Sequence, residues 1–170
     1  MTSQLARKPI AVWFLFVFFL WAVGKDFQLI VTHKQTVDYF IFERHNLLQL
    51  FFAFMTATFL LDFASSYFLL RPARSGFWVC IFAIVVGLIN NMTALYLALD
   101  DLPGVRETYA MSRELRGLPA REENMDRIFT PEGMQASFAM TCFFAVIAGA
   151  IVLFNRHYFM DVKQESQSVD

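Results

Sequence analysis

"WAVGKDFQLIV", Trp21–Val31, sets a lysine and an aspartate side by side near the end of an oily run that begins at Ile10. If that run stopped at Gly24 it would be too short to cross a bilayer, whose hydrocarbon core of about 30 Å takes about 20 helical residues. The reading that spans a membrane carries the helix on through Lys25 and Asp26 to about Ile30. Both charges then lie below the membrane surface, roughly one or two turns down at about 1.5 Å per residue.

Composition supports that reading. Of the 170 residues, 57% are hydrophobic, 21 are phenylalanine and only 17% are charged. A soluble domain carries about 25% charged residues. The apolar excess falls in four blocks, Ile10–Ile30, Leu47–Leu70, Phe77–Leu99 and about Gln135–Phe154. The expected fold is an all-α membrane protein, a four-transmembrane-helix bundle over residues 1–160, with a disordered tail at 161–170. The basic start and apolar run also resemble a secretory leader. Small residues at a cleavage site are missing, so a retained first span is expected.

The connections differ in kind. "RPARS", Arg71–Ser75, is a tight basic turn that makes the second and third segments an antiparallel hairpin. Thr32–Asn46 reads as a medium loop of balanced charge. Asp100–Met134 is long, with five basic and eight acidic residues. Inside it "VRETYAMSRELRGL" reads as an amphipathic helix, with Val105, Tyr109, Met111, Leu115 and Leu118 on its apolar side. "TPEGMQ" reads as a helix start, with Thr130 as N-cap and Pro131 in the first turn.

Short-loop charges set the expected orientation. Arg7, Lys8, Arg71, Arg74 and Arg156 fall on one side, which places both termini in the cytoplasm and the long loop outside a bacterial-type plasma (inner) membrane. A formal net charge of −1 gives no field for nucleic acid. Cys80 and Cys142 form no CxxC motif and read as small buried hydrophobes. His33, His45 and His157 lie near helix ends, where a haem between facing helices would not find them. No nucleophile–base pair, phosphate loop or metal constellation is present in the sequence, so neither enzyme chemistry nor a cofactor is expected.

Two polar clusters remain. The outer one gathers Lys25, Asp26, Gln49, Asn90, Asn91 and Thr141 at comparable depth, as a polar pocket for a small ligand or ion. Its plainer explanation is a snorkelling lysine and asparagines that join helices. The second cluster is Thr58, Asp62, Ser65 and Ser66, one face of the second segment by i, i+3, i+4 spacing. Nothing strongly polar is expected at the depth of Asp62, so this face is expected to meet another integral membrane protein, a second copy of the chain or a bound polar ligand, with membrane lipids around the bundle. A self-satisfied structural aspartate is the plainer reading. Ala145 and Gly149 form a small-xxx-small pair expected to mark a close helix contact. The leading functional expectation is an accessory or assembly subunit of a larger membrane complex. The alternative is a transporter or ligand-binding protein using the outer pocket. An intramembrane enzyme acting on lipid stands third.

Overall fold

The structure is a computed structural model that describes residues 9–120 and 122–160. The expected tail at 161–170 and the basic residues Arg7 and Lys8 lie outside them. The described chain is helical throughout: α1 (Ile10–Thr32), α2 (Val37–Arg44), α3 (Leu48–Leu70), α4 (Arg74–Asp100), α5 (Leu102–Leu115), α6 (Glu122–Ile128), α7 (Pro131–Phe154) and α8 (Arg156–Met160). Four of these, α1, α3, α4 and α7, are long and apolar enough to cross a membrane. α1 passes through Lys25 and Asp26 without a break.

Arg71–Ala73 turn α3 into α4, so these two form the expected hairpin. The end of the bundle holding that turn and α8 is here termed the hairpin end, and the end holding α2, α5 and α6 the loop end. α1 packs along α3, α3 along α4 and α4 along α7, while α1 and α7 meet over a much shorter stretch. The ring of four helices is therefore left partly open between α1 and α7.

Each end has its own core. At the hairpin end, Leu15, Phe19, Leu69, Cys80, Val152 and Phe159 are buried together. The Tyr158 hydroxyl donates to the Leu69 carbonyl at 2.7 Å, fastening α8 beneath α3. At the loop end the core is built around Phe42, Phe51, Met55, Leu97 and Val105. Gly149 has open space around it, and the buried small residue of α7 is instead Ala148. The close approach expected of the Ala145–Gly149 pair is thus displaced to the next face of the helix.

The loop end departs from the sequence reading in two places. Thr32–Asn46 is not a plain loop. It holds a 3-10 turn, His33–Gln35, and then α2, capped by the Thr36 side chain accepting from the Tyr39 N–H. Asp38 in the first turn and Arg44 in the last suit the helix dipole. Asn46, at φ 56°, takes the left-handed conformation that asparagine tolerates and redirects the chain into α3.

α5 buries only part of the expected apolar side, and two polar residues with it. Gly104, Val105, Thr108 and Ser112 face inward, while Met111, Leu115 and Leu118 are exposed. The polar residues survive burial because they are bonded. Thr108 Oγ1 donates to the Val105 carbonyl, and Ser112 Oγ donates to the Gln35 carbonyl on the 3-10 turn.

α5 starts on Asp101, whose carboxylate accepts from the Gly104 N–H at 3.0 Å and from Arg44 Nε at 2.8 Å. The Gly104 N–H, and then the Arg44 guanidinium, hold this carboxyl below the usual range. A side chain at Gly104 would run into both groups. Arg44 reaches Glu107 as well, at 2.9 Å, tying α2 to α5. Thr130 caps α7 as expected, accepting from the Gly133 N–H at 3.0 Å.

Candidate functional site

The opening between α1 and α7 is a cleft of about 730 Å³, floored by α4 and reached from α3 by Asp62. Its walls are largely apolar, with Phe14, Phe18, Trp21 and Phe144 supplying rings. Its polar groups are few: Lys25, Asp62, Asn91 and Thr141. A second, smaller cavity of about 230 Å³ lies above it at the loop end, lined in part by Asp38, Phe129 and Ser137. Asn91 and Thr141 line both spaces.

Successive residues on a helix point about 100° apart, and this separates the opening pair. Lys25 faces the cleft, its Nζ 4.9 Å from the centre of the Trp21 ring. Asp26 faces α3 instead. There its carboxyl group meets the side chains of Thr58 and Asp62. The Oδ2 atom of Asp26 is buried with no hydrogen-bond partner of good geometry among the described residues.

This contact corrects the expectation that Asp62 has no polar neighbour at its own depth. Counting depth from helix ends assumed that α1 and α3 begin at one plane. They do not, because the 3-10 turn and α2 lift the start of α3 above the end of α1. The His33 ring lies 5.5 Å from the Phe52 ring, which sets those two residues level. Going down the antiparallel pair from there brings Asp26 to the level between Thr58 and Asp62. The two polar clusters of the sequence thus meet in one layer, with the Asp26 carboxyl beside that of Asp62.

The remaining candidates divide. Asn91 holds its own helix, Nδ2 donating to the Gly87 carbonyl at 2.8 Å, and leaves its oxygen for the cleft. Thr141 donates to the Ser137 carbonyl at 3.3 Å. Asn90 lines neither space, and Gln49 is exposed in the first turn of α3 away from both. Thr58 is buried and bonded back to the Phe54 and Met55 carbonyls. Ser65 and Ser66 are buried one turn below Asp62, their hydroxyls without a well-formed hydrogen bond among the described residues. Ser65 lies beside the Cys80 thiol of α4.

Asp38 was missed by the sequence reading. It is exposed in the first turn of α2 and lines the loop-end cavity. Neighbouring protein atoms that displace part of its water push its carboxyl above the usual carboxylate range, and the Lys25 charge pulls it the other way. The signal for it was present. Thr36 followed by Asp38 and, further on, Arg44 is the pattern of a short capped helix.

No protein-family model matches this chain, and comparison with curated proteins and with solved structures yields no significant match. The site has to be read from its own chemistry. It combines an apolar, ring-lined space, the Lys25 ammonium, and the Asp62 carboxyl with Asp26 behind it.

Proposed function

We propose that this is a small integral membrane protein that binds a small molecule in the cleft between α1, α4 and α7. The observation that carries the reading is the cleft itself: about 730 Å³, which is within the range of small-molecule sites, mostly apolar with a few convergent polar groups. Ionisable side chains at membrane depth usually mark a ligand or ion path, and here Lys25 and Asp62 both face one space. The membrane is a bacterial-type plasma (inner) membrane, with both termini cytoplasmic, because the basic residues of the short connections gather on the hairpin side. The small loop-end cavity then opens outward.

Orientation is checked by placing single cysteines in the 100–134 segment of an otherwise cysteine-free chain. They are expected to react with an impermeant thiol reagent in intact cells. Reaction only after lysis would invert the proposed topology.

A second reading, that the chain is an accessory subunit of a larger complex, draws on one specific feature. Met111, Leu115 and Leu118 are exposed together near the end of α5, outside the candidate spans, where an apolar patch suits a partner. Native mass spectrometry of the chain extracted in mild detergent separates the two. The cleft reading expects a small adduct on the wild type that is lost when Ala145→Trp fills the space. An adduct unaffected by that substitution, or a bare chain with a stoichiometric protein partner, would overturn it in favour of the subunit reading.

A further inference from the structure

The polar groups around the cleft are not equivalent, and their arrangement selects an occupant. Asp62 lines the space directly, with Asp26 behind it on α1. Lys25 lies within electrostatic reach of Asp26 and of Asp38 on α2, and its ammonium sits over Trp21. The cleft-facing carboxyl has no ion pair among the described residues, and aromatic side chains line the same space. The buried, unpartnered Oδ2 of Asp26 shows that the pair is incompletely satisfied as it stands.

Resting on the reading that the cleft binds a ligand, we propose that it takes a hydrophobic organic cation, entering between α1 and α7, in exchange for a proton held by the Asp26–Asp62 pair. Two ionised carboxylates face to face in a low-dielectric setting repel, and one proton held between them relieves the repulsion. Lys25 and a singly protonated pair together carry no net charge. A monovalent cation arriving at Asp62 would leave the set positive unless the proton departs.

The exchange is balanced. One carboxyl O–H bond breaks, the carboxylate becomes the counter-ion of the guest, and the proton passes to water in the loop-end cavity, which shares Asn91 and Thr141 with the cleft. The rings of Phe14, Phe18, Trp21 and Phe144 hold the guest's apolar body and add cation–π attraction. An anion would gain Lys25 but stand beside the acidic pair.

Other titratable groups near this set are few. From α1 come Lys25 and Asp26, from α2 Asp38, and from α3 Asp62 itself. From α4 comes Cys80, which lies close enough to Asp62 to feel its charge. α7 presents Thr141 and no titratable side chain to the cleft; its Cys142 does not line it.

Tetraphenylphosphonium binding to the purified full-length chain in lipid nanodiscs tests this, followed by calorimetry and by proton release in weak buffer. On the acid side, each bound cation is expected to release about one proton, with affinity falling about tenfold per pH unit. Asp62→Asn is expected to weaken binding at least about tenfold, an ion pair in a dry site being lost. Asp26→Asn should move the titration to lower pH, because Asp62 then ionises without a like neighbour. Trp21→Leu, which leaves the carboxyl pair in place, should weaken binding about fivefold.

Binding without proton release, or binding indifferent to Asp62→Asn in a variant that elutes as the wild type does, would overturn the proposal. Laurate and triphenylphosphine oxide serve as anionic and neutral probes. If either enters the cleft while the cation does not, the cation proposal fails and the ligand-binding reading stands. If none of the three binds, both fail.

Discussion

Gly76→Leu is expected to abolish the ordered hairpin end of the bundle, and Gly76→Ala to lower the melting temperature measurably. A Cβ at position 76 would stand 2.6 Å from Phe68 Cβ and 3.0 Å from its Cγ, with Phe159 Cδ1 at 3.3 Å. Phe68 Cβ is fixed to the α3 backbone and cannot swing aside by a change of rotamer. The α4 backbone has to retreat from α3 in the first turn after the Arg71–Ala73 link, where three residues leave little slack. Forcing one extra carbon into a packed site costs about 1–3 kcal/mol, and leucine adds three more. The space they need is already held by Phe159, which is fully buried and packs at 6.3 Å on the Phe77 ring. Expelling it would take α8 away from α3 together with the Tyr158–Leu69 bond. The measurement is a thermal melt of each variant in detergent, followed by elution profile. A Gly76→Leu protein that elutes and melts as the wild type does would mean that α3 and α4 are not held this closely.

That close approach lies beyond what a sequence states, and the same holds for the candidate site. The four spans were legible because each is a block of apolar residues of the right length, and the hairpin because only three residues separate two such blocks. Lys25 and Asp26 were legible as charges at membrane depth. Their separation onto two faces follows from helix geometry, and the sequence reading did not draw it. The meeting of Asp26 with Asp62 was hidden for a different reason. It depends on how far α3 starts above the end of α1, which α2 decides, and α2 was read as loop. The run of four apolar residues Tyr39–Phe42 in "VDYFIFER" carries little periodicity, although Thr36, Asp38 and Arg44 mark both of its ends. On α5 the hydrophobic pattern found Val105 but missed the buried Thr108 and Ser112 beside it. Thr108 and Ser112 look like surface residues until the carbonyls they bond are known, one of them on a turn 77 positions away. Periodicity reads side-chain polarity, and here the burial of polar side chains was decided by long-range backbone partners.

Phe42→Ala should release α2 from the bundle and destabilise the loop end by about 3–5 kcal/mol, the usual range for emptying a buried phenylalanine site. Phe42 is 1% exposed and packs at 5.7 Å on Phe51. It lies outside the candidate spans, so its burial is measured against water and keeps the full hydrophobic term, unlike the lipid-facing phenylalanines of α1. What else holds α2 is weaker. The Arg44 bridges to Asp101 and Glu107 join side chains that are 41%, 32% and 64% exposed, and exposed pairs of this kind contribute little because water screens them. Arg44→Ala is accordingly expected to cost far less than Phe42→Ala, and the contrast between them is the test. Hydrogen exchange reads it directly: amides of Val37–Arg44 should lose protection in Phe42→Ala while those in the middle of α3 and α4 keep theirs. The consequence reaches the cleft, because α2 carries Asp38 over the loop-end cavity and its turn sets the height of α3. If α2 amides in Phe42→Ala exchange as slowly as in the wild type, α2 is held by something other than this core. The register that brings Asp26 to Asp62 would then need another explanation.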